Sequence, residues 1–212
     1  MQQIAALFVR SDSIYWDRNS IEAYDVTRNA LTYTGNSPIL AHPPCARWGR
    51  FWWADGSITP GMDNGLFEFS LAQLRRVGGV IEHPAASHAF KMHDLGNPQR
   101  GFWKRNLWGD WVTEVDQSQY GHRAQKSTWL VARSDFLPDL RWEEKKTDVY
   151  LSQPGRCSRL KPRKTCCCRR CSELFGTPQK TFERMSKKEQ ELTPEPFADL
   201  LIQIAESGTP SF

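Results

Sequence analysis

The sequence predicts an α/β fold: a mostly parallel sheet flanked by helices, with a small Cys/Arg-rich insertion. Three observations carry this. Short apolar runs of strand length recur between residues 4 and 132. Between two of them, residues 63 to 77 have the apolar spacing of an amphipathic helix, and residues 193 to 205 have it again. Strands that alternate with helices favour parallel pairing, and ligands in such sheets bind beyond the carboxyl ends of strands.

Ile4 to Val9 reads as a first buried strand, broken by Arg10-Ser11-Asp12-Ser13. Ile21 to Asp25 reads as a second, ending in an acid. Asp25 is either a plain turn aspartate or an acid placed where doubly wound sheets bind a ribose hydroxyl. Pro38 to Ala41 is the third strand; Pro43 and Pro44 stop it and fix the backbone ahead of Cys45. Residues 46 to 62 form a loop rich in tryptophan and glycine. Asp63 to Val77 is the helix, with Asp63 as cap and Gly78-Gly79 as stop. Val80-Ile81 is the next strand, with Glu82-His83-Pro84 at its end. Residues 85 to 110 are irregular. Trp111 to Asp116 and Ser127 to Ala132 read as strands around the polar segment Gln117 to Lys126, and residues 134 to 150 as a connection with some extended structure. Thr193-Pro194-Glu195 opens the last helix, whose apolar face is Phe197, Leu200, Leu201, Ile204 and Ala205. This divides the chain into a core (1–150), a basic Cys-rich insertion (151–185) and a C-terminal segment (186–212) whose helix packs back on the core.

The chain has 212 residues, nine of them tryptophan, and a net charge of +4. No apolar run approaches the roughly 18 residues of a membrane span, and the N-terminus lacks the pattern of a signal peptide. Cys166, Cys167 and Cys168 are consecutive, which suits metal or thiol chemistry better than a disulfide framework, so a reducing cytoplasm is expected. The charge is uneven: Arg156 to Cys171 carries seven basic residues and no acid, a block that belongs to a solvated tail or to contact with a polyanion.

The chemistry centres on Cys45. A thiol near His42, Arg47 and Arg50 has cause for a depressed pKa and for acting as a nucleophile; the alternative is a structural cysteine. Asp25, Cys45 and Glu82 are all predicted at carboxyl ends of strands. A thiolate can add to carbon 6 of a pyrimidine and make carbon 5 nucleophilic, provided the charge on the ring is relieved. A protonated carboxyl at ring nitrogen 3 relieves it, which asks for a glutamate of raised pKa. A cation from Arg123 or Lys126 can hold the base or a flanking phosphate.

Pro43-Pro44-Cys45, then Ile81-Glu82-His83-Pro84 at a strand end, then Gln117 to Lys126, together resemble the motifs of the DNA cytosine-5 methyltransferases, particularly the short versions common in bacteriophage genomes. Leu7-Phe8 and Tyr24-Asp25 sit where that family has its first cofactor strand and ribose-binding acid. The resemblance implies a reduced Rossmann-like, class I methyltransferase-like fold. It implies catalytic roles for Cys45 (nucleophile), Glu82 (acid on ring nitrogen 3) and Arg123 (grip on base or phosphate). Phe8, Arg10, Asp25 and Pro43 would then face the cofactor, S-adenosylmethionine. Arg47 and Lys126 would face nucleic acid. DNA is the expected partner, with no membrane, and the chain is expected to act as a monomer in the cytoplasm of a phage-infected bacterium.

Two features depart from that pattern. Val9-Arg10-Ser11-Asp12-Ser13 holds no glycine where the family has a glycine-rich turn, and the segment from Asp25 to Cys45 is short and lacks a strand and helix that help hold the adenine. A donor other than S-adenosylmethionine, with Arg10 binding an anionic group, is therefore a second reading, and a non-catalytic DNA-binding relic a third. In the basic block, Cys168-Arg169-Arg170-Cys171 has the gap of a metal knuckle, and Cys157 and Cys166 complete four thiolates for a structural zinc; an exposed cluster of reduced thiols is the alternative. Arg159, Arg163, Arg169 and Arg170 there suit a phosphate backbone. The run Trp48, Phe51, Trp52, Trp53 reads either as packing or as a surface for a flipped base.

Overall fold

The computed structural model describes residues 2–49, 52, 59–142, 149–150 and 183–210. Its centre is a seven-stranded mixed sheet. The strands are β1 (Ile4–Leu7), β2 (Ile21–Tyr24), β3 (Ile39–Ala41), β4 (Gly79–Pro84), β5 (Lys104–Arg105), β6 (Trp111–Asp116) and β7 (Ser127–Arg133), in the spatial order β2-β1-β3-β4-β7-β6-β5. The first four pair in parallel. β7 is antiparallel to both β4 and β6, and β5 is antiparallel to β6. The α/β class is thus as the sequence predicts, but the sheet is mixed rather than mostly parallel in its pairings. The reason lies in residues 117–126: this connection is too short for the helical crossover that parallel neighbours need, so β7 folds straight back on β6.

Four α-helices lie among the described residues: α1 (Leu66–Val77), α2 (His88–Met92), α3 (Lys187–Glu191) and α4 (Glu195–Glu206). Short 3-10 turns occur at Ile14–Asp17, Ala30–Thr32 and Gln117–Tyr120. Alternation along the strands builds two cores. Ile4, Ala6, Leu40, Val80, Leu130 and Ala132 face α4 and Tyr15; Ala5, Leu7, Ile39, Ala41, Ile81 and Val131 face α1 and α2. Burial of both sheet faces explains why these strands read as continuous apolar runs.

α1 starts three residues later than the spacing predicts, with Gly65 rather than Asp63 at the N-cap, though the Asp63 carboxylate reaches the first turn from outside. Its Oδ1 accepts from the Gly65 N–H at 3.0 Å and its Oδ2 from the Phe67 N–H at 2.9 Å. The helix stops at Gly78, and Gly79 begins β4 at φ 121°, where a Cβ would lie 1.9 Å from the Ile39 carbonyl oxygen. That contact is what lets β3 and β4 lie side by side. The irregular stretch 85–110 contains α2 and β5, both too short to show a period. α2 is capped by Ser87, whose Oγ accepts from the Ala89 N–H at 3.2 Å. Cys157, Cys166, Cys168, Cys171, Arg159, Arg163, Arg169 and Arg170 lie outside the described residues. A small parallel pair, β8 (Val149–Tyr150) with β9 (Glu183–Arg184), joins the two ends of that segment. Among the described residues no helix is long and apolar enough to cross a membrane.

Candidate active site

β2 lies on one side of β1 and β3 on the other. The loops that leave β1 and β3 therefore part, and such a parting opens a crevice at the carboxyl ends of the strands. A cavity of about 990 Å³ occupies it. Its walls come from the turn after β1, the turn after β3, the end of β4, the loop before β7 and the α3–α4 connection, and both Cys45 and Glu82 line it.

Register brings the first partners together. Ala41 pairs with Ile81, so the next residues, His42 and Glu82, emerge side by side on one face. His42 Nδ1 lies 3.0 Å from Glu82 Oε2, and its Nε2 lies 3.1 Å from the Tyr15 hydroxyl. The Tyr15 ring lies against the imidazole at 5.5 Å. Gln117 Nε2–H donates to Glu82 Oε1 at 3.2 Å and to Thr128 Oγ1 at 2.9 Å. Both carboxylate oxygens of this largely buried glutamate are thus engaged. Burial pushes its pKa up, but the hydrogen bond and charge of His42, with Lys126 and His83, outweigh burial and bring it to about 2. The raised pKa expected of Glu82 is not found, because it is surrounded by donors rather than by apolar side chains.

Cys45 opens a tight turn: its carbonyl accepts the N–H groups of Trp48 at 3.0 Å and Gly49 at 2.9 Å. The thiol reaches solvent. Its pKa is nevertheless raised, first by desolvation in the recess and then by the Glu82 charge, with Lys126 acting the other way. The expected depression from neighbouring cations is outweighed by burial, with that carboxylate adding to it. His83 points to the opposite face of the sheet. It is fully buried, with Nδ1 2.7 Å from Ser87 Oγ and the ring edge-on to Phe67. Burial lowers its pKa to about 4 against the pull of Glu82, Asp63 and the Pro44 and Pro43 carbonyls. His83 therefore packs beneath the Pro43-Pro44 turn as a neutral ring.

The other predicted residues divide. Phe8, Arg10, Pro43, Arg123 and Lys126 line the cavity; Asp25 and Arg47 do not. Asp25 Oδ1 accepts the N–H groups of Thr27 at 2.8 Å and Arg28 at 2.9 Å, so it caps its own turn. Arg10 is paired with Asp12 at 2.8 Å and with Glu191. Arg123 Nη1 meets Glu189 Oε1 at 3.2 Å. These two pairs tie α3 across the cavity mouth. Phe8 adopts φ 58° and packs edge-on against Phe69. The backbone thus turns left-handed at the residue that leads into the glycine-free segment Val9 to Ser13, with a side chain in place. Arg47 offers its carbonyl to the Gly61 N–H at 2.9 Å. Trp48 is packing: it is buried, its Nε1–H donates to Asp63 Oδ2 at 2.7 Å, and its ring meets Phe67. Trp52 is edge-on to His88, while Phe51 and Trp53 lie outside the described residues.

Sequence reasoning placed His42 near the Cys45 thiol rather than against Glu82, and missed Tyr15 and the specific clamp by Gln117. The position of His42 one residue past a strand that pairs with the Glu82 strand was the available signal; Tyr15 had none. Among the described residues no group of three His, Cys, Asp or Glu side chains is placed to hold a metal ion. Neither the models of known protein families nor the curated proteins include a match to this chain.

Proposed function

We propose that this chain modifies carbon 5 of a pyrimidine in DNA through a covalent Cys45 adduct, on a reduced Rossmann-like, class I methyltransferase-like fold. The observation that carries the reading is that Cys45 and Glu82, distant in the chain, line one cavity at the carboxyl ends of β3 and β4. At about 990 Å³ it is ample for one nucleobase beside a second ligand. The Cys45 thiol loses its proton, and the sulfur bonds to ring carbon 6. The electron pair of the 5,6 double bond is then shared between carbon 5 and nitrogen 3, where a proton from the Glu82 side neutralises it. Carbon 5 bonds to an electrophile and then loses its own proton to solvent, nitrogen 3 returns its proton to the Glu82 side, and the sulfur leaves as a thiolate as the double bond returns. Lys126 favours the thiolate; Arg123 at the mouth suits a phosphate.

S-adenosylmethionine, which when bound supplies an electrophilic methyl group, is the donor that the resemblance implies. The residues do not fit it as that family holds it. Asp25 caps its own turn away from the cavity, and the side chains of Val9, Arg10, Asp12 and Ser13 line the cavity where a glycine-rich turn is expected. The carboxylates facing the cavity from the turn after β1 are Asp12 and Asp17. A related electrophilic donor held by different contacts is therefore part of the proposal, as are the DNA grip by Arg47, Arg159, Arg163, Arg169 and Arg170 and a structural zinc on Cys157, Cys166, Cys168 and Cys171.

Adduct formation tests the reading without knowledge of the donor. DNA carrying 5-azacytosine takes a proton at ring position 5 in place of a carbon electrophile. The wild-type protein should form a denaturant-stable complex mapped by mass spectrometry to Cys45, and Cys45→Ala should form none. DNA binding without any adduct overturns the enzymatic reading in favour of a non-catalytic binder.

A further inference from the structure

We propose that His42, which has no part in the motif resemblance, is the proton source for Glu82, so that the acid at ring nitrogen 3 is a Glu82–His42 pair held in line by Tyr15. The inference rests on the covalent pyrimidine reading and deepens it. It starts from a conflict in the site. Charge relief at nitrogen 3 needs a proton, yet Glu82 is held as a carboxylate by donors on both oxygens. An N–H of Gln117 cannot be given up. Of the two donors, only an imidazolium can release its proton.

The geometry suits that transfer. His42 is fixed at both ring nitrogens, with Glu82 at one and the Tyr15 hydroxyl at the other. Tyr15 is buried on the 3-10 turn after β1, and its pKa is raised well above normal, chiefly by burial, so it stays a neutral phenol. As imidazolium, His42 donates Nε2–H to the Tyr15 oxygen and Nδ1–H to Glu82 Oε2. When the Cys45 sulfur bonds to carbon 6, the Glu82 side delivers one proton to nitrogen 3 and the Nδ1 proton of His42 replaces it. The neutral ring left behind keeps Nε2–H and its bond to Tyr15. When the sulfur leaves, nitrogen 3 returns the proton to Glu82 and thence to His42. The proton is lent and returned, with no net change in the pair.

The titratable and charged groups around this pair are Tyr15 on the 3-10 turn, Cys45 on the turn after β3, His83 on β4 and Lys126 before β7. Arg18 and, from α4, Asp199 act on Tyr15 from behind. Of these groups, Tyr15 is the one hydrogen-bonded to the His42 ring.

The experiment is the rate of 5-azacytosine trapping as a function of pH, for wild type, His42→Gln and Tyr15→Phe, beside DNA affinity and thermal midpoint for each. Wild type should show a limb that falls as pH rises. His42→Gln should lose that limb and slow by about 10²-fold, the usual worth of a positioned acid, at unchanged DNA affinity. Tyr15→Phe should keep the limb with a smaller loss. A His42→Gln protein that traps at the wild-type rate with the wild-type pH profile overturns the relay while leaving the Cys45 chemistry standing. A wild-type protein that binds DNA but never traps removes the covalent reading and the relay with it.

Discussion

The sulfur of Cys45 faces a carboxylate that stays ionised through the physiological range, and this fixes how the thiol should titrate. Alkylation of Cys45 by iodoacetamide, followed residue by residue by mass spectrometry, should have its midpoint above that of an ordinary thiol. Glu82→Gln removes the opposing charge and should move the midpoint down; Lys126→Met removes the helpful charge and should move it up. Equal midpoints in wild type and Glu82→Gln would show that the carboxylate does not act on the sulfur. That the two residues line one cavity was legible in the sequence, because Cys45 follows β3 and Glu82 lies near the carboxyl end of its parallel neighbour β4. Their protonation states were not, because those depend on His42, Gln117 and Lys126. These contacts span from one strand to its neighbour or across a loop, and no local pattern records them.

The turn from Cys45 to Trp48 is coupled to α1. Asp63 accepts the N–H groups of Gly65 and Phe67 and the Trp48 indole, so one carboxylate holds both the start of α1 and the far end of the Cys45 turn. Asp63→Ala strips acceptors from two backbone N–H groups and a buried indole, and should destabilise the fold by about 2–4 kcal/mol. Chemical denaturation measures this, and a loss well under 1 kcal/mol would contradict it. Asp63→Asn keeps an acceptor and should lose less. The elements themselves were largely legible: β1 to β4, α1, β6, β7 and α4 follow apolar runs or periods that burial on two sheet faces enforces. α2, α3 and β5 were not, since elements so short owe their existence to caps and tertiary contacts. Among them, α3 is fixed by the mutual Ser186–Glu189 capping box.

Across the whole molecule, the two cores on either face of the sheet differ in what they ask of pH. The face toward α1 and α2 contains His83 as a neutral ring, edge-on to Phe67 and bonded to Ser87. Its pKa falls from 6.5 to about 4 in the folded state, so between these values the unfolded chain binds a proton that the fold does not. Stability is whole above the unfolded value and is lost as pH falls from 6.5 toward 4, by about 3 kcal/mol at roughly 1.4 kcal/mol per pH unit. The face toward α4 carries Glu82, whose lowered pKa puts a second loss at more acid pH, below the unfolded value of 4.5 and down to about 2. Unfolding midpoints in urea, taken over this range, should therefore decline in two stages, the first before carboxylates begin to protonate. His83→Asn should flatten the first stage and leave the second. A wild-type profile that stays level between pH 6.5 and 4 would mean that His83 takes up its proton within the fold, through the nearby Pro43 and Pro44 carbonyls. The Cys45 turn would then rest on a charged ring instead of a neutral one.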